Sequence, residues 1–186
     1  MNTFTLSTPL SREDVLQLRA GDSVLLSGTV YTARDAAHQR ICTMLDHGLS
    51  LPFELEGATI YYSGPTPPPP GLPCGAAGPT TSYRMDSFAP ALYEKGVRAT
   101  IGKGPRSEEV QLAIRRCQGV YLGAAGGAGA LLGSRILECK LLAFPDLGPE
   151  AIYELTLADF PLLVINDAHG GDLFKKANFL LYPELA

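Results

Sequence analysis

The chain has 186 residues, 46% apolar and 18% charged, which excludes a disordered segment and leaves enough length to bury a sizeable core. The net charge is −4 and the basic residues are scattered, which excludes a nucleic-acid footprint. An anionic ligand therefore needs a local cationic site rather than a global field.

Residues 4–7 alternate and predict a first strand. Ser11-Arg12-Glu13-Asp14 has the form of a capping box and opens a short helix through Leu18. Residues 23–32, SVLLSGTVYT, are β-branched and apolar and predict a strand. Arg34-Asp35-Ala36-Ala37-His38 then starts a helix running to about His47, stopped by Gly48. Asp35 sits where a negative charge favours a helix start, and Arg34 lies at a strand-to-helix junction where ligands often bind. Arg34 also reads as one half of a surface ion pair, and His38 as a packed core histidine rather than a catalytic one.

Residues 59–62 form a strand that leads into a proline-rich stretch, residues 64–78, read as an extended, semi-rigid and structured loop. The loop feeds Gly78-Pro79-Thr80-Thr81-Ser82-Tyr83-Arg84-Met85-Asp86, which predicts a helix with Pro79 in its first turn and Thr80 or Thr81 as cap. On that helix Thr80 and Arg84 share a face that suits a carboxylate or phosphate. The alternative is a plain cap and a surface cation. The helix continues to Ala89, Pro90 is a candidate break, and Leu92-Tyr93 form a further turn ended by Gly96.

A short strand over 97–101 ends in Gly102-Lys103-Gly104. A lysine between glycines at a strand's carboxyl end either approaches an anion or is a solvated turn lysine, and it is not a Walker A motif. Residues 107–117 form an amphipathic helix capped by Ser107, with Val110, Leu112, Ala113 and Ile114 as its apolar face and Gly119 beyond it. A strand at 120–122 precedes the glycine run 123–133, whose Gly127, Gly129 and Gly133 miss the G-x-G-x-x-G spacing, so a dinucleotide reading is rejected. Three more strands are predicted, at 136–144, 152–157 and 162–167, with a turn at His169-Gly170-Gly171 and little structural pattern beyond Lys175.

Strands alternate with helices through the middle, which predicts one α/β domain over 1–186 with a mixed sheet. Cys42, Cys74, Cys117 and Cys139 are too widely spaced for a metal cluster or zinc site and predict free thiols in a reducing compartment. No leader pattern and no membrane-length apolar run is present, so the expected location is cytoplasmic, away from membranes.

Taken together, Tyr31-Thr32-Ala33-Arg34-Asp35-Ala36-Ala37-His38, the Gly-Pro-Thr-Thr…Arg-Met-Asp motif, Ile101-Gly102-Lys103-Gly104 and Gly126-Gly127-Ala128 resemble, in this order, the β-type domain of iron–sulfur class I fumarases and L-tartrate dehydratases. Asp159-Phe160-Pro161 and Asn166-Asp167 resemble that family too. The resemblance implies a swivelling β/β/α three-layer domain. It implies a [4Fe–4S] cluster held by an α-type partner subunit, and a hetero-oligomer with a dicarboxylate site between the two parts. By the same resemblance Arg34 and Arg84 pair substrate carboxylates, Lys103 lies near the substrate, and Thr80 handles the proton at carbon. Tyr83 stands where the family favours a small residue and Gln39 where lysine is common, so the fit of a particular dicarboxylate turns on Tyr83. A fumarate hydratase β subunit is the leading expectation. An L-tartrate dehydratase β subunit and a non-catalytic assembly protein with the same fold are the alternatives.

Overall fold

Strand β2 (Ser23–Thr32) is the hub of the sheet. Along one edge its first residues pair in parallel with β1 (Thr3–Ser7) and its last with β3 (Thr59–Tyr61). Along the other it pairs antiparallel with β7 (Ile152–Asn166). Strand β3 pairs in parallel with β4 (Ala99–Gly102), β4 with β5 (Val120–Gly123), and β5 returns antiparallel to β7. Five strands thus close a ring, β2-β3-β4-β5-β7, to which β1 and the antiparallel β6 (Ile136–Ala143) are added in a sheet of seven. Because β2 to β5 run the same way, their carboxyl ends share one rim.

In the computed structural model, which describes residues 1–181, six helices surround the ring: α1 (Arg12–Leu16), α2 (Asp35–Asp46), α3 (Ala89–Glu94), α4 (Glu108–Cys117), α5 (Gly129–Gly133) and α6 (Leu173–Leu181). The strands alternate, as a pleat dictates. Tyr61, Ile101 and Leu122 pack into the main core with Leu26, Val30, Leu155 and Phe160. Their neighbours Ile60 and Tyr62 face α2, beside Ala37 and Ile41. Tyr121 faces α3 and α4, beside Tyr93, Val110 and Ile114. No helix among the described residues is long and apolar enough to cross a membrane.

Ring closure depends on a local device in β2 and β7. Gly28 has φ of +99° beside a register shift against β7, and a Cβ there would meet Thr8 Oγ1 at 2.5 Å. Opposite, Asp159 adopts φ of +46°, which a short polar side chain tolerates, while its N–H donates to Ser27 Oγ at 3.0 Å. The bend lets one strand serve where the sequence predicts two.

The caps agree with expectation. Ser11 Oγ accepts from the Asp14 N–H at 3.1 Å while the Asp14 carboxylate accepts from the Ser11 N–H at 2.9 Å, and Ser107 Oγ accepts from the Val110 N–H. Four predictions are corrected. The helix expected from Thr80 to Ala89 is only a 3-10 turn, Ser82–Met85, followed by α3. Pro90 opens α3 rather than breaking it, since a missing N–H costs nothing in a first turn. Leu112 is exposed on α4. The segment beyond Lys175 begins in α6, and residues 182–186 lie outside the described residues.

Candidate functional site on the carboxyl rim

Arg34 follows β2 and is the N-cap of α2, in an extended conformation and without a side-chain capping bond. Glu150, more than a hundred residues on, fills that role. It accepts from the Ala36 N–H at 3.2 Å and pairs with Arg34 Nη2 at 3.0 Å. Gly64, just past β3, closes on this arginine. A Cβ at Gly64 would stand 3.4 Å from Arg34 Cδ and 2.6 Å from the Pro149 carbonyl, so only glycine fits.

The stretch after Gly78 inserts between the ends of β3 and β4. The Thr80 N–H donates to the Tyr62 carbonyl at 2.6 Å, the Lys103 N–H to the Thr80 carbonyl at 3.3 Å, and the Ser82 N–H to the Lys103 carbonyl at 2.9 Å. Thr80 is thus extended and backbone-bonded next to Lys103. The helical face and helix dipole predicted for Thr80 and Arg84 do not exist, because sheet-like pairing satisfies the backbone groups that a helix would have used. Arg84 instead leaves the 3-10 turn to donate from Nε to Asp35 Oδ1 at 2.8 Å.

The rim therefore carries two linked groups. Arg34 and Arg84 meet through neighbouring residues at the start of α2. Thr80 and Lys103 meet through their backbones. Among the described residues no ion pair involves Lys103. Beside it lies a cavity of about 220 Å³ lined by Lys103, Gly104, Gly123, Ala124, Ala125 and Phe174. The glycine run forms its wall: Gly126 backs onto the Lys103 stem. Tyr83 and Gln39 are both exposed.

Three buried polar atoms without hydrogen-bond partners lie at the start of α2. Arg34 Nε, Asp35 Oδ2 and His38 Nε2 all belong to residues 34–38. His38 is fully buried, its Nδ1–H donating to the Arg34 carbonyl at 2.9 Å, and burial pushes its pKa down to about 4. It is a neutral packing residue whose ring stands edge-on to Tyr62.

A second layer was not foreseen. Arg106 is buried between the rings of Tyr62 and Tyr121. It donates to Asp86, to Thr100 Oγ1 and to the Tyr62 hydroxyl. Tyr121, whose hydroxyl burial holds at a pKa of about 12, shares a hydrogen bond with Ser82 and donates to the Gly104 carbonyl. This layer clamps the turn that bears Arg84 and the loop that bears Lys103. Asp86 stands inside the quoted motif, but nothing in local spacing joins it to Arg106, or Arg34 to Glu150.

Among the described residues, no three of His, Cys, Asp or Glu converge as metal ligands. Cys74 and Cys139 line a cavity between the proline-rich loop and β6, to which Cys42 and Cys117 do not contribute. Among the described residues no set of side chains fits a [4Fe–4S] cluster.

The seven-stranded mixed sheet with helices around it makes this an α/β protein, and cations at strand carboxyl ends have the chemistry to hold an anion. The family model described as "Fumarase C-terminus" matches residues 1–177, and the chain belongs to that family. Fumarate hydratase 2 of Leishmania major is 40% identical over 167 residues, spanning 89% of this chain and 29% of the relative. The anaerobic class I fumarate hydratase of Escherichia coli is 39% identical over 153 residues, 81% of this chain and 28% of the relative. A protein of Methanocaldococcus jannaschii named as an L(+)-tartrate dehydratase subunit beta is 37% identical over 182 residues, 95% of this chain and 93% of the relative. The chain spans less than a third of the fumarate hydratases and nearly all of the tartrate dehydratase subunit. The names of these relatives are those of hydro-lyases.

Proposed function

We propose that this chain is the β-type part of an iron–sulfur hydro-lyase that interconverts fumarate and L-malate at a site completed by an α-type partner. The observation that carries the reading is the pairing of Arg84 with Asp35 beside Arg34 and of Thr80 with Lys103 on one rim, in a family whose named members are fumarate hydratases and a tartrate dehydratase subunit. The ring of five strands with helices outside it supports a swivelling β/β/α domain, taken as one unit over the whole chain.

The cluster belongs, in this reading, to the partner and supplies the Lewis acid for the hydroxyl. This chain's residues bind and align the dianion. The two guanidiniums offer planar, forked donors to its carboxylates, displacing Glu150 and Asp35, which are the internal carboxylates that hold them now. Lys103 adds a compact positive charge beside Thr80. Thr80 passes a proton to carbon on hydration and takes it back on dehydration, its alkoxide favoured by the neighbouring ammonium.

A second reading, an L-tartrate dehydratase β subunit, is favoured by one observation: a relative of that name is 37% identical over 182 residues. The test is anaerobic. The chain is combined with a cluster-loaded α-type subunit, and loss of fumarate, L-malate and L-tartrate is followed separately. Turnover that needs both chains supports the hydro-lyase reading, and the preferred substrate chooses between the two. No turnover of any of the three by a loaded complex overturns both.

A further inference from the structure

The proline-rich loop folds over β6. Its neck is closed by Thr66, whose N–H donates to the Ala76 carbonyl at 3.0 Å and whose carbonyl accepts from the Gly75 N–H at 3.2 Å. Cys74 lies in that neck, almost fully buried. Cys139 lies half-buried in the middle of β6, opposite Leu155 of β7. The two thiols line one cavity of about 510 Å³, together with Pro65, Pro67, Pro73 and Tyr153. Each thiol shifts the other's titration, Cys74 upward and Cys139 downward. Cys42 and Cys117 have no such neighbour on that cavity.

We propose that Cys74 and Cys139 form a peroxide-oxidisable dithiol whose disulfide staples the neck of the proline-rich loop to β6. A shared, roomy cavity lets such a bond form, since the two sulfurs must close to about 2.05 Å. The roles follow from their environments. The neighbouring Cys74 thiol holds Cys139 below the ordinary thiol range and favours its thiolate, while Cys139 and burial push Cys74 up and keep it protonated.

Cys139 thiolate attacks one peroxide oxygen. The O–O bond breaks, hydroxide leaves, and Cys139 carries a sulfenic acid. Cys74 then attacks that sulfur. The S–S bond forms, the S–O bond breaks, and the departing hydroxide takes the Cys74 proton as water. Two thiols and one peroxide give one disulfide and two waters, with two electrons passing from sulfur to oxygen. The residues locked in this way lead directly into the motif carrying Thr80 and Arg84, yet the proposal stands independently of the hydro-lyase reading.

The experiment uses the full chain, reduced, freed of reductant and treated with a few equivalents of hydrogen peroxide. Remaining thiols are alkylated, and intact mass and non-reducing peptide maps are recorded. The expected result is two of the four cysteines protected, one linked peptide pair containing Cys74 and Cys139, and reversal by dithiothreitol. The melting temperature should rise by roughly 5–10 °C, as closing a long loop predicts. Cys74→Ser should stop at a Cys139 sulfenic acid trapped by dimedone, while the Cys42→Ser/Cys117→Ser variant should oxidise as the wild type does. Full alkylation of Cys74 and Cys139 after peroxide, or a link between any other pair, would overturn the proposal.

Discussion

Arg106 Nε donates to Asp86 Oδ1 at 2.7 Å, joining two residues twenty apart in sequence into an ion pair whose arginine side chain is wholly buried. The second Asp86 oxygen accepts from the Ser107 N–H at 2.7 Å, so one carboxylate fixes both the turn after Arg84 and the start of α4. Asp86→Ala leaves a buried guanidinium without its anion. The expected loss is about 3–5 kcal/mol of folding stability, read by urea denaturation. The double variant Asp86→Ala/Arg106→Met removes the stranded charge and should lose less than Asp86→Ala alone. An equal or larger loss would mean that the pair is not the clamp described.

Helix α5 packs against the proline-rich loop through glycine. A Cβ at Gly133 would lie 2.5 Å from the Gly75 carbonyl oxygen, a backbone atom that cannot swing away. Gly133→Ala should therefore cost about 1–3 kcal/mol, by thermal or chemical denaturation. Gly126→Ala is the control. Its nearest contact would be Lys103 Cδ at an ordinary 3.7 Å, and stability should change by less than about 0.5 kcal/mol.

His38 predicts a pH dependence with a definite sign. Its folded pKa is about 4, lowered chiefly by burial, against an ordinary 6.5. Between these values the unfolded chain binds a proton that the folded chain refuses. His38 thus contributes stability fully above pH 6.5, and that contribution falls by about 3 kcal/mol as the pH drops towards 4. His38→Phe, which can rest on the same Tyr62 and Phe88 rings, should flatten this part of the curve. A variant with the wild-type slope between those pH values would remove His38 as its source.

Much of the fold is legible in the sequence where the physics is local. Alternation marks β1, β-branched and apolar residues mark β2, Ser11 and Ser107 announce their helices, and glycine and proline frame the loop. The ring is not legible, because it needs β7 to bend at Asp159 and to pair with β2 across more than a hundred residues. The site divides in the same way. Arg34 and Lys103 stand at strand ends, where a parallel sheet presents ligands. The Thr80–Arg84 helix fails because Pro79-Thr80 has the local form of a helix start, while Tyr62 and Lys103 claim the Thr80 backbone first. Arg106 and Glu150 act across 20 and more than 100 residues, a reach that no spacing rule supplies.

Arg84 tests the central claim most directly, because its structural and functional weights differ. Its ion pair with Asp35 is largely open to solvent, with 45% of the arginine side chain exposed, and such a pair adds less than about 1 kcal/mol to stability. As a forked carboxylate ligand it is worth far more, and lysine cannot replace that geometry. The measurement is kcat/KM of Arg84→Lys in the assembled, cluster-loaded complex, beside its melting temperature. The account predicts a roughly 10- to 100-fold fall in kcat/KM with a nearly unchanged melting temperature. Near-normal turnover of a well-folded Arg84→Lys complex would contradict it and take Arg84 out of the site.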